Sequence, residues 1–165
     1  MNYFAELATT LQQIDPAPLL SFVTACEGTL WLAGNGGSMA LAQHWACDLS
    51  KAAGRRVQAL GSNPVVLTAW ANDEGYETAL VAELKQNAKR GDMLICLSCS
   101  GTSPNIVRAI EYAVAQRIPS ILLTGDHGNG SAFCVIRVPH SSYGIIEDCF
   151  SAIGHWLTRE LCVTR

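Results

Sequence analysis

Apolar residues in this chain come in short unbroken blocks, separated by longer stretches in which they recur at helical spacing. Unbroken blocks bounded by Gly, Pro and Asn read as buried strands, and spaced apolar positions read as one face of a helix. Strands are predicted over 29–33, 56–60, 93–97, 120–124 and 134–138. Helices are predicted over 2–13, 16–26, 38–53, 63–71, 76–88, 103–116 and 145–162. Asp15 is suited to cap the second helix, with Pro16 in its first position, where a missing N–H is no loss. Apolar strands largely separated by helices imply a parallel sheet covered on both faces. With right-handed crossovers this is an α/β fold, a three-layer αβα sandwich around a mostly parallel five-stranded sheet, doubly wound.

Ligands of such sheets bind beyond the carboxyl ends of the strands, and two Gly/Ser-rich turns are predicted there. The first, Gly34-Asn35-Gly36-Gly37-Ser38, joins a strand to a helix. Free backbone N–H groups and the positive end of a helix dipole meet at such a point, which suits an anion, above all a phosphate. His44 and Asp48 follow on the same helix. Four residues apart, they share one face and can hold one metal ion or one substrate proton together. Alone, His44 would read as structural; the carboxylate beside it and the turn before it point to function.

The second turn, Ser98-Cys99-Ser100-Gly101-Thr102-Ser103, carries four hydroxyls, at Ser98, Ser100, Thr102 and Ser103, and no Lys or Arg. A phosphate here would be held by hydroxyls, amides and the helix dipole. Ser103 or Thr102 is placed to cap the next helix, with Pro104 in its first turn. Neither turn is a nucleotide P-loop, which needs Gly-Lys-Ser/Thr. The first also lacks the full dinucleotide fingerprint and its acid about 20 residues on, so NAD is excluded.

Composition narrows the partners. A chain of 165 residues reads as one domain, 1–165, large enough for a real core. Charged residues are 15%, against the ~25% of ordinary soluble domains, so part of the surface is expected to be covered by other subunits. A net charge of −3 gives no support for a nucleic acid or a membrane surface as partner. No apolar stretch approaches the roughly 18 residues of a membrane span. Residues 1–18 contain Glu6 and Asp15 and lack the basic start of a signal peptide. Seven cysteines without framework spacing imply reduced thiols in the cytosol. Cys96 and Cys99 form a Cys-x-x-Cys, but Cys96 lies inside a predicted strand, so both read as small core residues rather than a redox or zinc pair. Trp31, Trp45, Trp70 and Trp156 read as core or subunit-interface residues; His127 and His140 fall in loops and carry no assignment.

The two turns resemble the sugar-isomerase (SIS) domain family, and within it the phosphoheptose isomerases. Asn72-Asp73, Arg90-Gly91-Asp92, Leu123-Thr124-Gly125 and Val138-Pro139-His140 match that subfamily in order and spacing. The resemblance covers residues from about 20 to the end and implies a SIS-type fold. It implies an aldose–ketose isomerase that converts sedoheptulose 7-phosphate to D-glycero-D-manno-heptose 7-phosphate. By resemblance, Gly34, Asn35, Gly36 and Ser38 line the sugar-phosphate site, and Ser98, Cys99, Ser100 and Ser103 form its phosphate-holding loop. Asn72 and Asp73 reach the sugar hydroxyls. His44, Asp48, Glu147 and His155 match four metal ligands, the last two after a one-residue deletion in the loop following His140. Asp48 and Glu147 thereby also face the substrate, and the acid/base roles fall on Asp48 and His155. The resemblance further implies one divalent metal per subunit, zinc, and a homotetramer with sites at its subunit interfaces, to which the helical segment 1–27 contributes. It implies a cytoplasmic role in heptose synthesis for bacterial surface polysaccharide.

The chain departs from the subfamily at informative places. Asp48 stands for Glu, Glu147 for Gln, Cys99 for Thr, and Ala52, with Lys51 beside it, for an Arg. Asp is shorter than Glu by on the order of 1 Å, a displacement that can cost about a hundredfold in rate. Glu147 adds a negative charge that favours a cation. A second class of relative with this fold, a sugar-phosphate sensor or an adaptor for the replication initiator, binds without turnover. Such adaptors generally lack the carboxylate at Asp48, so its presence with His44 and His155 favours an enzyme. The isomerisation needs a base, an acid and stabilisation of a developing oxyanion, and a carboxylate, an imidazole and a divalent cation meet those needs.

Overall fold

The computed structural model describes residues 2–126, 128 and 132–163. His127 lies outside them. Two helices, α1 (Tyr3–Leu11) and α2 (Ala17–Ala25), precede the sheet. The order then runs β1 (Leu30–Gly34), α3 (Gly37–Lys51), β2 (Val57–Ala59), α4 (Pro64–Glu74), α5 (Tyr76–Asn87) and β3 (Met93–Leu97). It closes with α6 (Pro104–Ala115), β4 (Ser120–Thr124), β5 (Cys134–Arg137) and α7 (Tyr143–Val163). The five strands all pair in parallel, in the order β2-β1-β3-β4-β5. Succession from β1 runs outward to β2 and then back across to β3, so the winding reverses between β1 and β3. That reversal opens a crevice beyond the carboxyl ends of these two strands.

Alternation along each strand sorts its side chains into two cores. Leu30, Leu32, Met93, Ile95, Leu97, Ile121 and Leu123 pack with residues of α2, α3 and α7. Trp31, Ala33, Leu94, Cys96 and Leu122 pack with residues of α5 and α6. Cys96 and Cys99 therefore belong to opposite layers, as ordinary core residues. Burial drives the Cys96 thiol far above its usual range. α4 differs from the other helices in burying no residue at all, although it carries Val65, Leu67 and Trp70.

At the amino ends of the strands the charged groups are tied into the scaffold. Asp92 sits just before β3 and accepts hydrogen bonds from Thr29 N (2.7 Å), Trp31 Nε1 (2.9 Å) and Lys89 N (2.8 Å). Burial alone would push its carboxyl up; these donors outweigh burial and hold it below the ordinary value of 3.8. Arg55 donates to the carbonyls of Val23 and Cys26 at the end of α2, and Arg56 to that of Glu27. A cavity of about 600 Å³ lies beside these residues.

Element boundaries differ from the sequence prediction by a few residues. α2 begins after Pro16, because Asp15 Oδ1 accepts from Ala17 N and Pro16 itself takes the cap position. α4 runs three residues further than predicted and stops at Gly75, whose φ of +90° favours glycine. Ser103 does cap α6, but through its carbonyl, which accepts from Ile106 N and Val107 N, and without a side-chain bond. Among the described residues, no helix is long and apolar enough to cross a membrane.

Candidate active site

The first turn leaves β1 at Gly34 and enters α3 through Gly36, at φ +54°, a left-handed conformation that glycine adopts without strain. The carbonyl of Gly36 accepts from Met39 N and Ala40 N, which starts the helix. A Cβ on Gly37 would stand 2.5 Å from Glu147 Oε2, so a side chain there would displace this carboxylate. Glu147, on α7, thus lies against the start of α3, where the helix dipole favours a carboxylate. Its Oε1 accepts the Ser38 hydroxyl proton at 2.9 Å. A carboxylate cannot donate, so the Ser38 oxygen faces any ligand only as an acceptor.

The second turn has the opposite bias. Ser98 Oγ accepts from Gly101 N at 3.2 Å and Ser100 Oγ from Thr102 N at 3.3 Å. Their hydroxyl protons are left to donate, as a phosphate requires. Cys99 Sγ lies 3.9 Å from Ser38 Oγ, linking the two turns, and burial raises its thiol pKa. Asn35, Gly36, Ser38, Ser98, Cys99, Ser100, Ser103 and Glu147 line a cavity of about 370 Å³ in the crevice, with no Lys or Arg among its walls. Asn35 is held in place: it exchanges paired amide hydrogen bonds with buried Asn105 on α6 (2.8 and 2.9 Å) and accepts from Tyr76 Oη at 2.9 Å.

Further along α3 stands a second group. His44 Nε2 and His155 Nε2 are 2.9 Å apart, and Asp48 Oδ2 lies 3.5 Å from the first and 3.8 Å from the second. These ligand atoms all fall within 4.8 Å of one another. Two imidazoles and a carboxylate this close could together hold a divalent cation. Close approach of α3 and α7 creates the cluster. Trp45, next to His44, buries its indole against α7 at Gly154, the neighbour of His155. A Cβ on Gly154 would stand 2.0 Å from Trp45 Nε1. That indole N–H has no hydrogen-bond partner among the described residues, a cost accepted for the packing.

Of the four residues matched as metal ligands, the structure brings His44, Asp48 and His155 together and turns Glu147 to Ser38 instead. Eight residues of helix separate Glu147 from His155, about 12 Å of rise as well as about 80° of rotation. Asn72 and Asp73 lie exposed at the end of α4, hydrogen-bonded to each other at 3.0 Å and outside the cavity. His140 pairs with Glu6 at 3.8 Å. Tyr76, Asn105 and Gly154 carry no site role that their local sequence predicts. The Ser-Pro-Asn string at 103–105 was the one available pointer to Asn105.

The chain is thus a doubly wound α/β domain with a polar crevice beyond β1 and β3 and a His/Asp/His cluster further along α3 and α7. The SIS domain family model matches residues 3–125, and the chain belongs to this family. Phosphoheptose isomerases are among its relatives. That of Pelodictyon phaeoclathratiforme is 32% identical, over 95% of this chain and 82% of its own length. That of Edwardsiella ictaluri is 37% identical, over 86% of this chain and 77% of its own. The solved phosphoheptose isomerase of Neisseria gonorrhoeae superposes with a TM-score of 0.88 at 26% identity, covering 96% of this chain and 95% of that one.

Proposed function

We propose that this protein is an aldose–ketose isomerase of the phosphoheptose type, interconverting sedoheptulose 7-phosphate and D-glycero-D-manno-heptose 7-phosphate. The observation that carries the reading is the His44, Asp48 and His155 cluster, set on the two helices that also wall the anion crevice. A crevice alone would serve a sensor; proton transfer needs the cluster.

The phosphate binds on the Ser98–Ser103 loop, where Ser98 Oγ and Ser100 Oγ already accept backbone N–H groups and so keep their hydroxyl protons for a ligand. Ser38 accepts from a sugar hydroxyl. His44 lies six residues along α3 from Ser38, about 9 Å, so phosphate and reacting carbons occupy opposite ends of the ligand. Binding energy from the phosphate end positions C1 and C2 against the cluster. Asp48 removes the proton from one carbon, and His155 serves the oxygens as the enediol forms and collapses. His44 holds its partners in place. A divalent cation, zinc by its fit to two imidazoles and a carboxylate, would be held by His44, Asp48 and His155 and would supply positive charge near the oxygens that become anionic.

The same reading makes 1–165 one SIS domain acting in the cytoplasm, in keeping with its seven free thiols. It also makes the active form a homotetramer. An α4 without one buried residue, an exposed Phe4 on α1, and His44 and His155 with side chains 48% and 57% exposed all favour a neighbouring subunit that covers the site.

The test is metal content by mass spectrometry, paired with turnover of sedoheptulose 7-phosphate before and after chelation. Stoichiometric divalent metal with chelator-sensitive turnover supports the isomerase. Metal-free protein that binds the sugar phosphate unchanged rejects it in favour of a sensor or adaptor.

A further inference from the structure

Asn35 lines the crevice, yet its amide is largely spent before any ligand arrives. Its Oδ1 accepts from both Asn105 Nδ2 (2.8 Å) and Tyr76 Oη (2.9 Å). An amide oxygen has two lone pairs, and both are taken. Its Nδ2 donates one hydrogen to Asn105 Oδ1 at 2.9 Å. One N–H remains. Asn105 is 3% exposed and fixed on α6, whereas Tyr76 is 48% exposed at the first position of α5, after the left-handed Gly75. Two separate elements, α5 and α6, therefore meet on one carboxamide that belongs to neither of them.

We propose that Tyr76 and Asn105 are positioning residues for the sugar-phosphate site: they lock Asn35 so that it meets the ligand only as a hydrogen-bond donor. Asn35 then reads an acceptor on the ligand, a phosphate or carbonyl oxygen, while Ser38 on the same turn reads a donor. The two together fix which end of the ligand enters first. This inference rests on the isomerase reading for its substrate but not for its geometry.

The experiment compares wild type, Tyr76→Phe, Asn35→Ala, the double variant and Asn35→Asp, by kinetics with sedoheptulose 7-phosphate and by calorimetric titration with the same compound. Tyr76→Phe removes one neutral hydrogen bond, so KM is expected to rise about 3- to 10-fold with kcat unchanged. A merely structural lesion would lower kcat through loss of active protein and leave KM alone. Asn35→Ala is expected to raise KM further, and the double variant to match Asn35→Ala, because Tyr76 acts through Asn35. Asn35→Asp presents only acceptors and is expected to bind no better than Asn35→Ala. Additive effects, an unmoved KM in Tyr76→Phe, or wild-type binding by Asn35→Asp would overturn the proposal. A wild type that binds without turnover would remove the isomerase reading and leave the lock to be judged on the Kd values. One that does not bind the compound at all would overturn both.

Discussion

The two ends of the sheet put their polar groups to opposite uses. At the amino ends, Asp92, Arg55 and Arg56 carry full charges, and the scaffold consumes them: three N–H groups on the carboxylate, three carbonyls on the guanidinium groups. At the carboxyl ends of β1 and β3 the groups facing the cavity are mostly neutral, and the local hydrogen bonds leave chosen protons or lone pairs free. The larger cavity, about 600 Å³, lies at the amino end; the one with the chemistry is about 370 Å³. Size and formal charge therefore single out the amino end, and uncommitted hydrogen-bonding capacity singles out the proposed site.

The largest effect should come from the His44, Asp48 and His155 cluster. Asp48→Asn and His155→Ala are each expected to cut turnover of sedoheptulose 7-phosphate by about 10²- to 10⁴-fold, the usual share of acid–base catalysis, in steady-state assays. Survival of turnover in both would break the contrast between the ends. Gly154→Ala tests how the cluster is built. Forcing a Cβ against Trp45 should cost about 1–3 kcal/mol of stability by overpacking. It should also slow turnover, because His155 moves with the backbone beside it. Denaturant melts and kinetics on the same sample read both effects.

Asp92→Asn should show the amino end as scaffold only. A stability loss of about 1–3 kcal/mol is expected from the stranded donors, with KM and kcat unchanged below the melting range. The pH dependence sharpens this. Because the folded-state pKa of Asp92 is lowered, its contribution is present above the unfolded value near 4 and is lost as pH falls through the folded value. Acid melts of wild type should steepen below about pH 4, and Asp92→Asn should lack that component. Arg56→Ala should do least, about 1 kcal/mol or under in chemical denaturation, since it loses one bond to the Glu27 carbonyl.

Much of the scaffold could be read from local pattern. β3 coincides with the unbroken apolar block at 93–97, and β4 with 120–124, whose apolar centre Ile121–Leu123 lies between Ser120 and Thr124, because buried parallel strands need apolar residues on both faces. Both turns fell where predicted, since glycine and hydroxyl residues mark strand-to-helix joints directly. What escaped depends on contacts distant in sequence. Ser38 meets Glu147 across 109 residues, and Asn35 meets Asn105 across 70. No periodicity encodes such a pair. The helical wheel places Glu147 and His155 toward a common side, but rise along the axis separates them. Gly154 reads in sequence as a helix weakener, and its reason is visible only with Trp45 packed against it.

The reversal of winding between β1 and β3 has a consequence for inheritance. The crevice is made by backbone connectivity, and losing a side chain from α3 or α7 does not close it. On the proposed reading, a descendant that lost Asp48 would lose most of its turnover while still recognising its ligand. On that reading, failure as an enzyme would leave a working receptor, and the route from catalyst to signal-responsive protein would be as short as one substitution.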